Sequence, residues 1–181
     1  WSEAALSVWG KTNRDDHTWF PVVHHLTDSA AMAGELFDHY LPDGARMGLV
    51  SMTGLPIDQL RQLVCFLAGV HDVGKVTPQF CSQAKHGFEE LLAGMARHGL
   101  TAQAHPDKPQ HATMGQVILT DWLVAQSGVN RRLAGSYASV IGGHHGRNPT
   151  SATLRSVQAS PTALGTGRWA EVRAEVLDGI A

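Results

Sequence analysis

The chain has 181 residues, 43% of them apolar and 17% charged, with a formal net charge of −2. That length can bury a sizeable core without disulfides, and the near-neutral balance excludes a global basic field of the kind that gathers nucleic acid. A polyanionic substrate would therefore need a local patch or bound cations.

Two cysteines, Cys65 and Cys81, cannot form a disulfide framework and read as reduced core thiols, which points to a cytoplasmic setting. The longest apolar runs, near 63–70 and 117–119, fall far short of a membrane span. No charged-then-apolar leader opens the sequence, and its first residue is Trp1, so the chain reads as part of something longer.

In chain order, Leu26, Ala30, Ala33 and Phe37 recur at helical spacing and predict a helix over 22–40 that stops before Pro42. Leu60, Leu63, Val64 and Leu67 predict a second over 57–70. A short helix follows Pro78, and another covers 87–97. The segment 100–110, with Pro106 and Pro109, reads as a loop. Helices resume over 111–126 and 130–142. A loop rich in Ser, Thr, Pro and Gly follows His145, and a last helix starts near Arg168. Alternating strand patterns are nearly absent, and neither an internal repeat nor a linker divides the chain. The expectation is one all-α domain over 1–181.

Eleven histidines are many for this length, and histidine is the commonest metal ligand. The sharpest local signal is Val70-His71-Asp72-Val73-Gly74-Lys75, which closes an apolar helix. Neighbouring residues on a regular helix diverge by about 100°, but at a helix end the backbone can turn both side chains toward one target. A carboxylate has two oxygens and can bridge two ions, which an imidazole cannot. Lys75 stands close by as a cation for a phosphate oxygen.

Helical register extends the set. His71 continues the face of Leu60, Leu63, Val64 and Leu67. His111 shares a face with Met114, Gly115, Ile118 and Trp122. His144 continues Leu133, Tyr137, Val140 and Ile141. His25 lies beside Ser29, Met32 and Leu36, whereas His24 falls with Thr27, Asp28, Ala31 and Glu35 on a polar side. One buried histidine is more often a hydrogen-bonded core residue than a ligand. Four aimed at one interior are costly to bury unless something such as metal binds them together. Gly142-Gly143 and Gly146 around His144-His145 allow the backbone to bend there.

With these residues in place, the sequence resembles the HD superfamily, and within it the HD nuclease domain of the CRISPR-associated type I helicase-nuclease. The matching stretches are Val8-Trp9-Gly10-Lys11, Trp19-Phe20-Pro21, His25-Leu26-Thr27-Asp28, 71–80 with its Thr-Pro-Gln-Phe extension, His111, and Gly143-His144-His145-Gly146. Together they span roughly residues 8–147. The resemblance implies metal ligation by His25, His71, Asp72, His111, His144 and His145. It also implies a bridging role for Asp72 and a place for Lys75 beside the scissile phosphate. The family carries one more aspartate in a later helix. Asp178 is the only aspartate after His145, and its surroundings do not match that motif. The expectation is that the chain stops short of the residue, leaving one metal site incomplete.

The implied activity is hydrolysis of single-stranded DNA by water activated at two divalent ions, with no protein nucleophile. An imidazole-rich donor set favours Mn, Fe, Co, Ni or Zn over Mg. Lys11, Arg131, Arg132 and Arg147 are candidate contacts to DNA phosphates, while Arg155 reads better as plain surface charge. No Gly-x-x-x-x-Gly-Lys-Ser/Thr sequence occurs, so ATP hydrolysis is not expected in this chain. A helicase region and an RNA-guided surveillance complex would be the partners that supply the strand. Two alternatives stand beside this reading: a phosphohydrolase acting on nucleotides or cyclic nucleotides, and a helical binding module whose histidines are structural.

Overall fold

The computed structural model describes residues 1–13, 15–84 and 86–181. Helices dominate: α1 (Glu3–Ser7), α2 (Val22–Glu35), α3 (Asp43–Thr53), α4 (Ile57–Gly69), α5 (Pro78–Cys81), α6 (Glu89–Arg97), α7 (His111–Ser127), α8 (Arg131–Gly142), α9 (Ser151–Gln158), α10 (Pro161–Leu164) and α11 (Arg168–Ile180). A two-stranded antiparallel hairpin, β1 (Trp9–Thr12) and β2 (Trp19–Pro21), sits between α1 and α2. The fold is all-α apart from this small addition. Among the described residues, no helix is long and apolar enough to cross a membrane.

Most predicted helices are present at nearly the expected bounds. The one expected over 22–40 is α2 followed by a wider π turn at Leu36–Tyr40, which ends ahead of Pro42, where a proline cannot continue the hydrogen bonding. The segment 100–110 is free of regular structure, as expected.

One core runs through the molecule. Val22, Val23 and Leu26 of α2 meet Val70, Val73, Val76, Met114, Leu119 and Ile141, and Val172, Val176 and Leu177 of α11 close it. The periodicity of α8 gave the wrong inward face. Leu133, Tyr137 and Val140 are exposed, while Ala134, Ala138 and Ile141 are buried. Two alanines let α8 lie close against α7, and a hydrophobicity count favours the larger side chains that solvent sees. In α2 and the π turn after it, Leu26 and Phe37 are buried as their spacing implies, while Met32 and Leu36, which share the side of His25, are exposed. The polar side holding His24, Thr27, Asp28, Ala31 and Glu35 is exposed as expected. Of the two thiols, Cys81 is buried and Cys65 partly so, and they are unpaired; burial pushes the Cys81 thiol up, out of the reactive range.

Arg173 of α11 anchors the helix ends around this core. Its guanidinium is buried with no carboxylate opposite among the described residues, and burial lowers its pKa to about 10. It donates instead to the carbonyls of Val76 (3.2 Å), Gly165 (2.7 Å) and Leu164. Cations complement such carbonyl ends. Arg173→Met keeps much of the apolar stem and strands three acceptors. Its expected cost is about 2–4 kcal/mol, read as a lower midpoint in chemical unfolding. An unchanged midpoint would show that water satisfies these carbonyls equally well.

Candidate metal centre

The centre is built where helices end or begin. Helix α4 stops at Gly69, and the chain tightens into a 3-10 turn at Val73–Lys75. The change of pitch carries His71 and Asp72 off the helical spiral, so two adjacent side chains reach one point. His111 is the first residue of α7, and His25 lies in the first turn of α2. His144 and His145 follow Gly143, the cap of α8, in a turn closed by Gly146 at φ +81°, a conformation that suits glycine. His144 thus points inward because of the turn, not because it continues the face of α8.

Close backbone packing joins these pieces. A Cβ on Gly74 would lie 1.9 Å from the carbonyl oxygen of His111 and 2.6 Å from the amide nitrogen of Gly115. Only a residue without a side chain lets the turn bearing His71 and Asp72 press on the start of α7.

Asp72 is 4% exposed and forms the hub. Its Oδ2 lies 3.1 Å from His25 Nε2 and 3.2 Å from His71 Nε2, and its Oδ1 lies 3.0 Å from His111 Nε2 and 3.4 Å from His144 Nε2. His145 Nε2 is 3.0 Å from His111 Nε2. The donors fall into two sets, His25–His71–Asp72 and His111–His144–His145, each with ligand atoms within 4.8 Å of one another. All six residues singled out from the sequence are therefore brought together. Burial pushes the Asp72 carboxyl up, but His111, His144, His25 and His71 outweigh it and hold the group ionised, far below the usual carboxylate range. Asp72 also raises the pKa of His144, against burial. His145 is lowered, by desolvation first and then by His144 and His111.

Tautomers test whether cations fit. His71 Nδ1 lies 2.7 Å from the carbonyl of Ala68, and His144 Nδ1 lies 2.5 Å from that of Ile141. A carbonyl can only accept, so both Nδ1 atoms carry a proton, and in the ligating form each ring turns an Nε2 lone pair toward Asp72. Lone pairs and a carboxylate facing one another at this range need a positive centre between them. Asp72 Oδ1 and His144 Nε2 are buried without hydrogen-bond partners, so the donor set fits divalent cations.

Lys75 differs from the expectation that it faces a phosphate. It is 9% exposed, and its Nζ donates to Asp72 Oδ2 (2.8 Å) and to the carbonyl of Gly10 (2.8 Å) in β1. Its ammonium is consumed in holding the carboxylate. Asp178 is likewise occupied, accepting from Trp122 Nε1 at 2.8 Å and belonging to neither donor set.

The proposed DNA contacts divide. Arg147 is exposed beside His145. Arg131 and Arg132 open α8, about 18 Å along its axis from the double histidine, and Arg131 pairs with Asp121 at 2.6 Å. Lys11 is exposed on the hairpin, and Arg155 is exposed on α9.

Two clefts flank the imidazoles. One, of about 850 Å³, is walled by Trp9, Lys75, Phe80 and His111; the other, of about 550 Å³, by His145, Arg147 and Asn148. Trp9 and Phe80 pack at 4.3 Å between ring centroids. Lys108 lines both clefts. The sequence reading gave it no role. Its signal was a cation between Pro106 and Pro109, three residues ahead of His111.

Comparison with known proteins agrees with this geometry. The family described as "Cas3, HD domain" matches residues 9–181. A CRISPR-associated nuclease/helicase Cas3 of Streptococcus thermophilus is 30% identical over 154 residues, which cover 77% of this chain and 16% of that protein. A CRISPR-associated endonuclease/helicase Cas3 of Thermus thermophilus is 29% identical over 178 residues, covering 98% of this chain and 18% of that one. The crystal structure of the Thermus thermophilus Cas3 HD domain in the presence of Ni2+ superposes with a TM-score of 0.65 at 24% identity, covering 99% of this chain and 64% of that one. The chain thus spans less than a fifth of the length of the curated relatives it matches. From its motifs, its helical fold and the match along nearly its whole length, the chain belongs to the family of Cas3 HD domains.

Proposed function

We propose that the chain is a metal-dependent phosphodiesterase that hydrolyses single-stranded DNA in type I CRISPR interference. One observation carries this: Asp72 turns each of its oxygens to a different pair of imidazoles, the arrangement a carboxylate needs to span two cations. In this reading His25, His71 and Asp72 would hold one ion, and Asp72, His111, His144 and His145 would hold the second. The imidazole-rich set favours Mn, Fe, Co, Ni or Zn, and the related Cas3 HD domain crystallised with Ni2+ supports that class. Bound divalent ions supply Lewis acidity toward a phosphodiester and a nucleophile at neutral pH.

The protein's own groups prepare the site. The Ala68 and Ile141 carbonyls fix the His71 and His144 rings and leave each Nε2 free to ligate. Lys75 holds Asp72 in a single orientation. Phe80 packs edge-on against His111 at 5.6 Å and limits its rotation. The open clefts on both sides leave room for a chain rather than a mononucleotide alone. The names of the relatives, nuclease joined to helicase, support a helicase region as the source of the strand, with an RNA-guided surveillance complex upstream.

Metal removal tests the reading. Purified protein is expected to hold divalent transition metal by elemental analysis and to cut circular single-stranded DNA, an activity that chelation abolishes and Mn2+ restores. Hydrolysis of mononucleotides with the circle untouched would favour a nucleotide phosphohydrolase. Absence of stoichiometric metal would leave the histidines structural.

A further inference from the structure

The Lys75 ammonium is committed to Asp72 and Gly10, so a phosphate lying between the two clefts, beside the ions, calls for a different side-chain cation. Lys108 meets that need. It is exposed, and no salt bridge engages it among the described residues. Among the described residues it alone lines both clefts, sharing one with His111 and the other with His145 and Arg147.

Its backbone is unusual as well. Lys108 sits at φ +43°, a conformation that L-residues rarely adopt, and it precedes Pro109, which restricts it further. The loop enforces this. Gln79, itself 2% exposed, accepts from the amide of His105. Gln103 N donates to Pro78 O at 3.1 Å, and Lys108 N donates to His105 O at 3.0 Å. A strained non-glycine conformation persists where its surroundings over-determine it, and such positions cluster at functional sites. Glycine would fit this backbone better. A lysine there has a use for its side chain.

We infer that Lys108 contacts a backbone phosphate of the bound strand where it crosses from one cleft to the other past the metal centre. It is a positioning residue for substrate, with no role in holding metal. The inference rests on the nuclease reading above.

Lys108→Gly removes the ammonium at a φ that glycine adopts without strain, and Lys108→Arg, which keeps the charge, separates lost charge from a loosened loop. In the chelated protein, affinity for a single-stranded oligonucleotide is expected to fall roughly fivefold at low salt, and the slope of log K against log salt by about 0.7, the share of one phosphate on a single strand. With Mn2+ restored, metal content should equal that of the parent and KM should rise more than kcat falls. Lys108→Arg should recover most of the affinity. A Lys108→Gly protein with parental affinity, salt slope and KM, in a parent that cleaves, overturns this inference alone. A metal-loaded parent that binds no single strand overturns the nuclease reading and this inference together.

Discussion

Asp72→Asn is expected to lose bound metal and to reduce cleavage by at least about 10²–10³-fold, the scale seen when one preorganised electrostatic group is removed from an active site. The amide keeps the volume of the carboxylate but carries no charge, and one of its two positions becomes an NH2 that cannot ligate. Four imidazoles and the Lys75 ammonium then surround a neutral group. Asp72→Ala goes further. It removes the side-chain acceptor as well as the counter-charge of the Lys75 ammonium, 9% exposed, at an expected cost of about 3–5 kcal/mol, whereas the asparagine oxygen can still accept from that ammonium. The pair of variants separates ligation from folding. Elemental analysis and cleavage report on Asp72→Asn, and the unfolding midpoint reports on Asp72→Ala. Normal metal content with full cleavage in Asp72→Asn would refute the bridging role.

Gly74→Ala is expected to be nearly as damaging, although the residue touches no substrate. The new methyl would lie 1.9 Å from a main-chain oxygen and 2.6 Å from a main-chain nitrogen of α7. Neither can rotate away as a flexible side chain could. Either α7 shifts by more than an ångström and takes His111 with it, or the turn bearing His71 and Asp72 backs away. We expect a loss of about 3 kcal/mol or more in stability, together with weakened metal binding. Gly135→Ala is the matched control, because a Cβ there meets nothing within 4 Å, and alanine is the better helix former by up to about 1 kcal/mol. Equal stability for the two variants would show that α7 yields freely.

Much of this molecule was legible in advance, for specific reasons. Helices α2, α4 and α7 present apolar residues at helical spacing and stop near prolines or glycines, so their extents could be read; for α11 only the start could. Helix α3 could not: it buries none of its residues and contains Gly44 and Gly48, leaving no periodic stripe to detect. Helix α9 has one buried residue, Val157, and its clearest sign was the Thr150 cap, whose side chain accepts from the amide of Thr153, in a stretch rich in loop-forming residues. The hairpin strands are four and three residues long, too short for alternation to stand out.

The cluster of candidate ligands was legible because these residues sit at helix boundaries, beside the glycines and prolines that mark those boundaries. The placement of Lys75 was not. Its second acceptor is a carbonyl 65 positions away, and no local pattern announces a main-chain partner at that distance. Lys108 escaped notice because positive φ at a lysine is set by how its loop is pinned to Gln79, which composition cannot reveal.

The acceptor that steadies Lys75 belongs to the peptide backbone, so exchanging the side chains around it cannot delete it. Evolution can vary the tip of the hairpin widely without releasing the lysine. The vulnerable spot is Gly10, where an added methyl would press within 2.9 Å of the Val22 Cα and lever the strand off α2. Tolerance to replacement should therefore be high at the exposed positions of the hairpin and low at Gly10, next to the buried Trp9.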